Sequence, residues 1–164
     1  MAKVFLGIGS NIDREKNISL ALKALAEILV DMDVSPIYES EAVGFEGDNF
    51  FNLVVSGETH FSLDVLVAAI KELEMEHGKP ESAPKYSPRT LDIDVLTFDQ
   101  LVGEFNGVEL PRTDVVELAY VLKPLSDLAP DEVHPVQQKS YKSLWLEFDC
   151  AEQKIWMVEH ELHN

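Results

Sequence analysis

A chain of 164 residues, 46% hydrophobic and 26% charged, carries enough apolar material for one core and too much for an intrinsically disordered protein. Thirteen Lys and Arg against 30 Asp and Glu leave a formal charge of −17, which repels polyanions and argues against nucleic-acid and anionic-membrane partners. The single cysteine, Cys150, allows no internal disulfide and fits a reduced, cytoplasmic setting, while no stretch reaches the roughly 18 apolar residues of a membrane span or the form of a secretion signal.

In chain order, Val4, Phe5, Leu6 and Ile8 predict a strand over 3–9, closed by the turn formers Gly9, Ser10 and Asn11. Asp13 is placed to cap a helix over 14–30, because Ile18, Ala21, Leu22, Leu25, Ile28 and Leu29 recur every three or four residues. Two strands follow at 34–39 and 52–59, separated by a loop with two glycines and several carboxylates. Ser62 opens a second helix with Leu63, Leu66, Val67, Ile70 and Leu73 inward and Gly78 as its stop. Residues 79–88 lack apolar periodicity and read as a surface loop. From 90 to 98, Leu91, Ile93 and Val95 alternate with Asp92 and Asp94, the period of a strand. The remainder predicts a strand near Val108, helices over 114–122 and 140–148, and a strand over 155–158. Strand, helix, two strands, helix, strand is the split β-α-β order of an α+β, ferredoxin-like α/β sandwich with an antiparallel-rich sheet, here expected as one domain over 1–164.

Two residues apart on a strand, Asp92 and Asp94 leave the same face. Such a pair is either the wet face of a strand or a seat for Mg²⁺, which favours one or two carboxylates with waters and substrate phosphates. Arg89 immediately precedes the pair, and Lys79 and Lys85 lie on the adjoining loop, so cations for phosphate oxygens sit beside carboxylates for a metal. A structural ion pair between Arg89 and one aspartate is the plainer alternative.

The stretch Ser87-Pro88-Arg89-Thr90-Leu91-Asp92-Ile93-Asp94 resembles the G-P-R-T-x-D-x-D signature of the 6-hydroxymethyl-7,8-dihydropterin pyrophosphokinases of folate biosynthesis. Phe5-Leu6-Gly7-Ile8-Gly9-Ser10-Asn11, Phe50-Phe51-Asn52 and Tyr120-Val121-Leu122-Lys123-Pro124-Leu125 are similar to other segments of that family, in family order, over about 3–135. The resemblance implies transfer of pyrophosphate from ATP, the co-substrate, to the hydroxymethyl oxygen of the pterin, with release of AMP. It assigns Asp92 and Asp94 to two Mg²⁺ ions. It assigns Lys85 and Arg89, with Asp92 and Asp94, to catalysis and, with Glu74 and Lys79, to the nucleotide; Arg112, where the family has histidine, is expected to serve both by replacing lost charge. It assigns Val43, Gly44, Phe50, Asn52 and Tyr120 to the pterin. The expected partners are these two small molecules, and the expected state is a monomer.

Departures from the family pattern fall among its cations. Gly78-Lys79-Pro80-Glu81 stands where the family usually has G-R-x-R, Pro111-Arg112-Thr113 replaces P-H-P, and Leu118 occupies an arginine position. Lysine loses the bidentate fork and glutamate reverses the sign near a triphosphate. An active pyrophosphokinase and a paralogue that binds pterin or nucleotide with altered catalysis therefore both remain open, with a protein-interaction module as a third class.

Overall fold

The computed structural model describes residues 1–41, 49–76 and 91–158. Its first strand, β1 (Ala2–Ser10), is apolar on both faces, and both faces are covered. Val4, Leu6 and Ile8 enter one core cluster while Phe5, between them, enters another, as alternation along a strand requires.

The first cluster lies under two helices. In α1 (Arg14–Ile28), Ile18, Ala21, Leu22 and Leu25 form the buried stripe. Asp13 takes the capping position with φ 44° but makes no side-chain capping bond. Asn17 ties the turn instead, its Nδ2 donating to the Ile12 carbonyl at 2.8 Å. The chain leaves the helix at Leu29, two residues earlier than the apolar pattern suggests, to begin β2 (Val30–Val34). In α2 (Leu63–Glu76), Leu63, Leu66, Ile70 and Leu73 face inward, and Ser62 accepts the Val65 N–H at 3.3 Å. The expected stop at Gly78 lies outside the described residues.

The strand expected at 34–39 is instead a junction between β2 and β3 (Tyr38–Ser40). Pro36 has no N–H for a ladder. Ser35 bridges the gap: its N–H donates to the Val54 carbonyl and its hydroxyl accepts the Val54 N–H, both at 2.9 Å. Both short strands lie along β4 (Phe50–Thr59), which pairs on its other side with β1; β1 pairs in turn with β5 (Asp92–Phe98). Every pairing is antiparallel. The order β5-β1-β4-β2/β3 is the ferredoxin-like arrangement, extended by β8 (Ile155–Met157) on the free edge of β3. A hairpin, β6 (Gly103–Phe105) and β7 (Val108–Leu110), stands beside β5.

On the opposite face, Phe5, Val54 and Leu96 pack against α3 (Asp114–Glu117), α4 (Ala119–Leu128) and α5 (Tyr141–Glu147). The single helix expected over 114–122 is thus two, broken at an extended Leu118 (φ −117°, ψ 121°). Among the described residues no helix is long and apolar enough to cross a membrane.

Candidate active site

β5 carries Ile93 and Val95 into the first cluster and Leu96 into the second. Asp92 and Asp94 therefore lie on the face turned toward α4, and Asn52, which shares its parity with buried Val54, lies on that same face of β4. Gly9 pairs with Asn52 on one side and Asp92 on the other. With strands ~4.8 Å apart, the amide and the carboxylate flank a shelf roughly 10 Å wide. The shelf exists because Gly9 has no side chain: a Cβ there would meet the Asn52 Oδ1 at 3.3 Å and the Phe50 ring at 3.8 Å.

The Asn52 side chain is fixed in one sense. Its Nδ2 donates to the Ser40 hydroxyl at 2.7 Å and to the Tyr38 carbonyl at 3.4 Å, which leaves Oδ1 as the atom over the shelf. Among the described residues nothing donates to that oxygen. Phe50 is half-buried beside it.

Tyr120, half-buried on α4, stands among charges from other elements. Burial first, then Asp114, Asp94 and Asp92, push its hydroxyl above the ordinary phenol range, with Arg112 opposing. Arg112 reaches the same place from the end of β7: its Nε donates to Asp114 at 2.9 Å and lies 3.9 Å from Asp94. Burial works against the guanidinium charge, but Asp94, Asp114 and Asp92 outweigh it and hold its pKa above the usual value.

A cavity of about 480 Å³ opens beside Asp94, at the outer edge of β5. Val67 and Ile70 of α2, Val95 of β5 and Val108 of β7 give it an apolar wall, while Asp94, Arg112 and Lys71 supply charge. Glu74 also lines it, 7% exposed, with Oε2 accepting the Ile93 N–H at 2.9 Å. That bond fixes the backbone between the two aspartates.

The structure thus gathers Asp92, Asp94, Arg112 and Tyr120 into one electrostatic group, sets Asn52 and Phe50 across the shelf, and lines the neighbouring cavity with Glu74. Val43, Gly44, Lys79, Lys85 and Arg89 lie outside the described residues. Leu118, at the arginine position, packs its side chain on the second core cluster and brings no charge. Sequence reasoning missed Ser40 and Asp114. Asp114 is visible in retrospect as an acid two residues from Arg112, but Ser40 depends on strand pairing that no local pattern discloses.

Among the described residues no group of three or more His, Cys, Asp and Glu makes a ready cage for a metal. Two half-buried carboxylates on one face of a strand, one of them lining a cavity, fit a cation that completes its shell with water and substrate oxygens, which is the habit of Mg²⁺.

Comparison with known proteins gives a concordant result. The family model described as 7,8-dihydro-6-hydroxymethylpterin-pyrophosphokinase matches residues 5–130. A 2-amino-4-hydroxy-6-hydroxymethyldihydropteridine pyrophosphokinase of Aquifex aeolicus is 35% identical over 144 residues, covering 87% of this chain and 89% of the relative. One of the same name from Pseudomonas aeruginosa is 32% identical over 133 residues, covering 79% and 82%. Among solved structures, the wild-type HPPK-DHPS of Plasmodium falciparum with SDX-DHP superposes with a TM-score of 0.69 at 15% identity, over 90% of this chain and 43% of that one. This chain spans less than half of that solved protein, and the likeness shows the fold.

Proposed function

The chain belongs to the 7,8-dihydro-6-hydroxymethylpterin-pyrophosphokinase family, and from that premise we propose that it transfers pyrophosphate from ATP to the hydroxymethyl oxygen of the dihydropterin in folate biosynthesis, using the shelf over Gly9 for the pterin and the cavity beside Asp94 for the nucleotide. The observation that carries this division is the placement of Asp92 and Asp94 between the two spaces. In the reaction the hydroxymethyl oxygen attacks the β-phosphorus, the bond from that phosphorus to the α-phosphate oxygen breaks, AMP leaves, and the hydroxyl proton passes to solvent.

At the acceptor end, Asn52 Oδ1 takes a hydrogen bond from the donor edge of the pterin, and Phe50 and Tyr120 supply flat apolar surface to its ring faces. Val43 and Gly44 belong to this end by resemblance. At the donor end, the apolar wall of Val67, Ile70 and Val108 suits a purine, with Glu74 holding β5 in register beneath it. Arg112 reaches the phosphates from β7, and Lys79, Lys85 and Arg89 join it by resemblance. Asp92 and Asp94 would hold two Mg²⁺ ions, which when bound lower the charge that the attacking oxygen must approach. The reason is physical, since Asp94, Asp114 and Asp92 all act on the Arg112 guanidinium, and carboxylates gathered beside a triphosphate repel it unless a cation lies between them. The rest of catalysis is positioning. Residues 1–164 act here as one domain and as a cytoplasmic monomer, in keeping with a sheet shared by both core clusters and with two small-molecule substrates.

AMP release from Mg²⁺-ATP, with and without 6-hydroxymethyl-7,8-dihydropterin, tests the proposal. Pterin-dependent AMP is expected, and Asp94→Ala should lower its rate about 10²–10³-fold or more. Folded wild-type protein that binds Mg²⁺-ATP without pterin-dependent AMP would make the chain a binding paralogue, and absence of nucleotide binding would leave an interaction module.

A further inference from the structure

Residues 150–158 lie beyond the part matched by the family model, yet they touch the supports of two residues assigned to the pterin, Tyr120 and Asn52. Gln153 is presented by a turn in which its own N–H donates to the Cys150 carbonyl at 3.0 Å. Its Oε1 accepts the Ala119 N–H at 2.8 Å, and its Nε2 donates to the Glu117 carbonyl at 2.9 Å. These two backbone groups stand on either side of Leu118, where α3 ends and α4 begins. A helix start leaves its first amides without intrahelical partners, and Leu118 provides no side-chain cap. A carboxamide carries a donor and an acceptor side by side on one planar group, so the single Gln153 side chain closes both ends of this elbow. Tyr120 is the residue that follows.

The same segment then becomes β8 and pairs with β3: Ile155 with Ser40, Trp156 with Glu39, Met157 with Tyr38. Val158 N–H adds a bond to the Ile37 carbonyl at 2.8 Å. Ser40 and Tyr38 are the residues that hold the Asn52 amide. One short stretch of chain therefore grips the backbone that carries Tyr120 and the backbone that orients Asn52.

We propose that Gln153 is a positioning residue for the acceptor site, its carboxamide locking the α3–α4 elbow so that Tyr120 is held at a set distance from Asn52, which rests on the assignment of both residues to the pterin. Substitution should then weaken the pterin and spare the nucleotide. Gln153→Met keeps the length of the side chain and removes both hydrogen bonds. It is expected to raise the pterin KM roughly tenfold, the equivalent of one or two neutral hydrogen bonds, with the ATP KM unchanged. Gln153→Glu, which keeps the acceptor for Ala119 but turns a second oxygen toward the Glu117 carbonyl, should raise the pterin KM as well. Amide exchange at Ala119 and Tyr120 should quicken in Gln153→Met while exchange in β1 and β4 stays slow. An unchanged pterin KM would overturn the inference, as would equal increases in both KM values with a lowered melting temperature, the pattern of a merely structural tie. If wild-type protein shows no turnover, pterin Kd replaces KM in the same comparison. Equal Kd values for wild type and Gln153→Met would then sink the inference alone, and wild-type protein that binds no pterin would sink the functional reading and the inference together.

Discussion

A methyl group at Gly9 would reach the Asn52 Oδ1 at 3.3 Å, and Asn52 cannot swing away without breaking its 2.7 Å bond to Ser40. The backbone at Gly9 is outside the left-handed region, so alanine fits the chain itself, and its smaller unfolded-state entropy offsets part of the crowding. Gly9→Ala should therefore harm binding more than folding. Crowding of about 1–3 kcal/mol translates into a pterin KM raised roughly tenfold or more, with the melting temperature moved by only a few degrees. A large loss of stability with an unchanged pterin KM would show that the shelf does not receive the pterin. Alternation along β5 made the shared face of Asp92 and Asp94 legible in the sequence. The sense of the Asn52 amide was not, because Ser40, 12 residues away, sets it through the pairing of β3 with β4.

The elements repeat that division between local and distant causes. Helices α1 and α2 announce themselves by apolar stripes, and β1 announces burial on both faces by an apolar run. The break at Leu118 is hidden, since Val115, Leu118, Val121 and Leu122 continue a helical pattern across it and the group that bridges it, Gln153, is 34 residues away from Ala119. The turn before α5 is likewise built by one side chain. His134, buried, accepts the Val136 and Gln137 N–H groups on Nδ1 at 3.1 and 2.9 Å, edge-on to the ring of Tyr141. Protonation would place a hydrogen where two already point. Burial holds the His134 pKa below its ordinary value of about 6.5, so the unfolded chain takes up the proton first. The contribution to stability is complete above that pH and drains away as pH falls toward the folded-state pKa. Melting temperature should decline between pH 7 and 5.5 in the wild type. His134→Asn, whose Oδ1 accepts the same two N–H groups without titrating, should show a shallower decline over that range. Equal slopes in the two proteins would remove His134 as the cause.

Over the whole molecule the dominant fact is the charge of −17, against which the few cations near the site must recruit a nucleotide that is itself an anion. Near the cavity the balance is no more favourable, since Asp94, Asp114, Glu74 and Glu109 line it with only Arg112 and Lys71 among the described residues. Mg²⁺ complexation lowers the nucleotide charge without reversing it, so long-range repulsion should slow the encounter. Salt screens that repulsion: the Debye length falls from about 30 Å at 0.01 M to about 8 Å at 0.15 M, shorter than the span of the surface charge but longer than the contact between Arg112 and a phosphate. Raising KCl over this range at fixed free Mg²⁺ should therefore increase kcat/KM for ATP by about twofold, the opposite of an enzyme that steers ATP with a basic surface. The pterin is uncharged, and its kcat/KM should barely move. A decrease for ATP would mean that the cations assigned to the nucleotide, Arg112 and by resemblance Lys79, Lys85 and Arg89, outweigh the field of the rest of the chain. In that event the segregation of positive charge toward one loop, visible in the sequence against an acidic background, would be an attractive funnel rather than only a set of contacts.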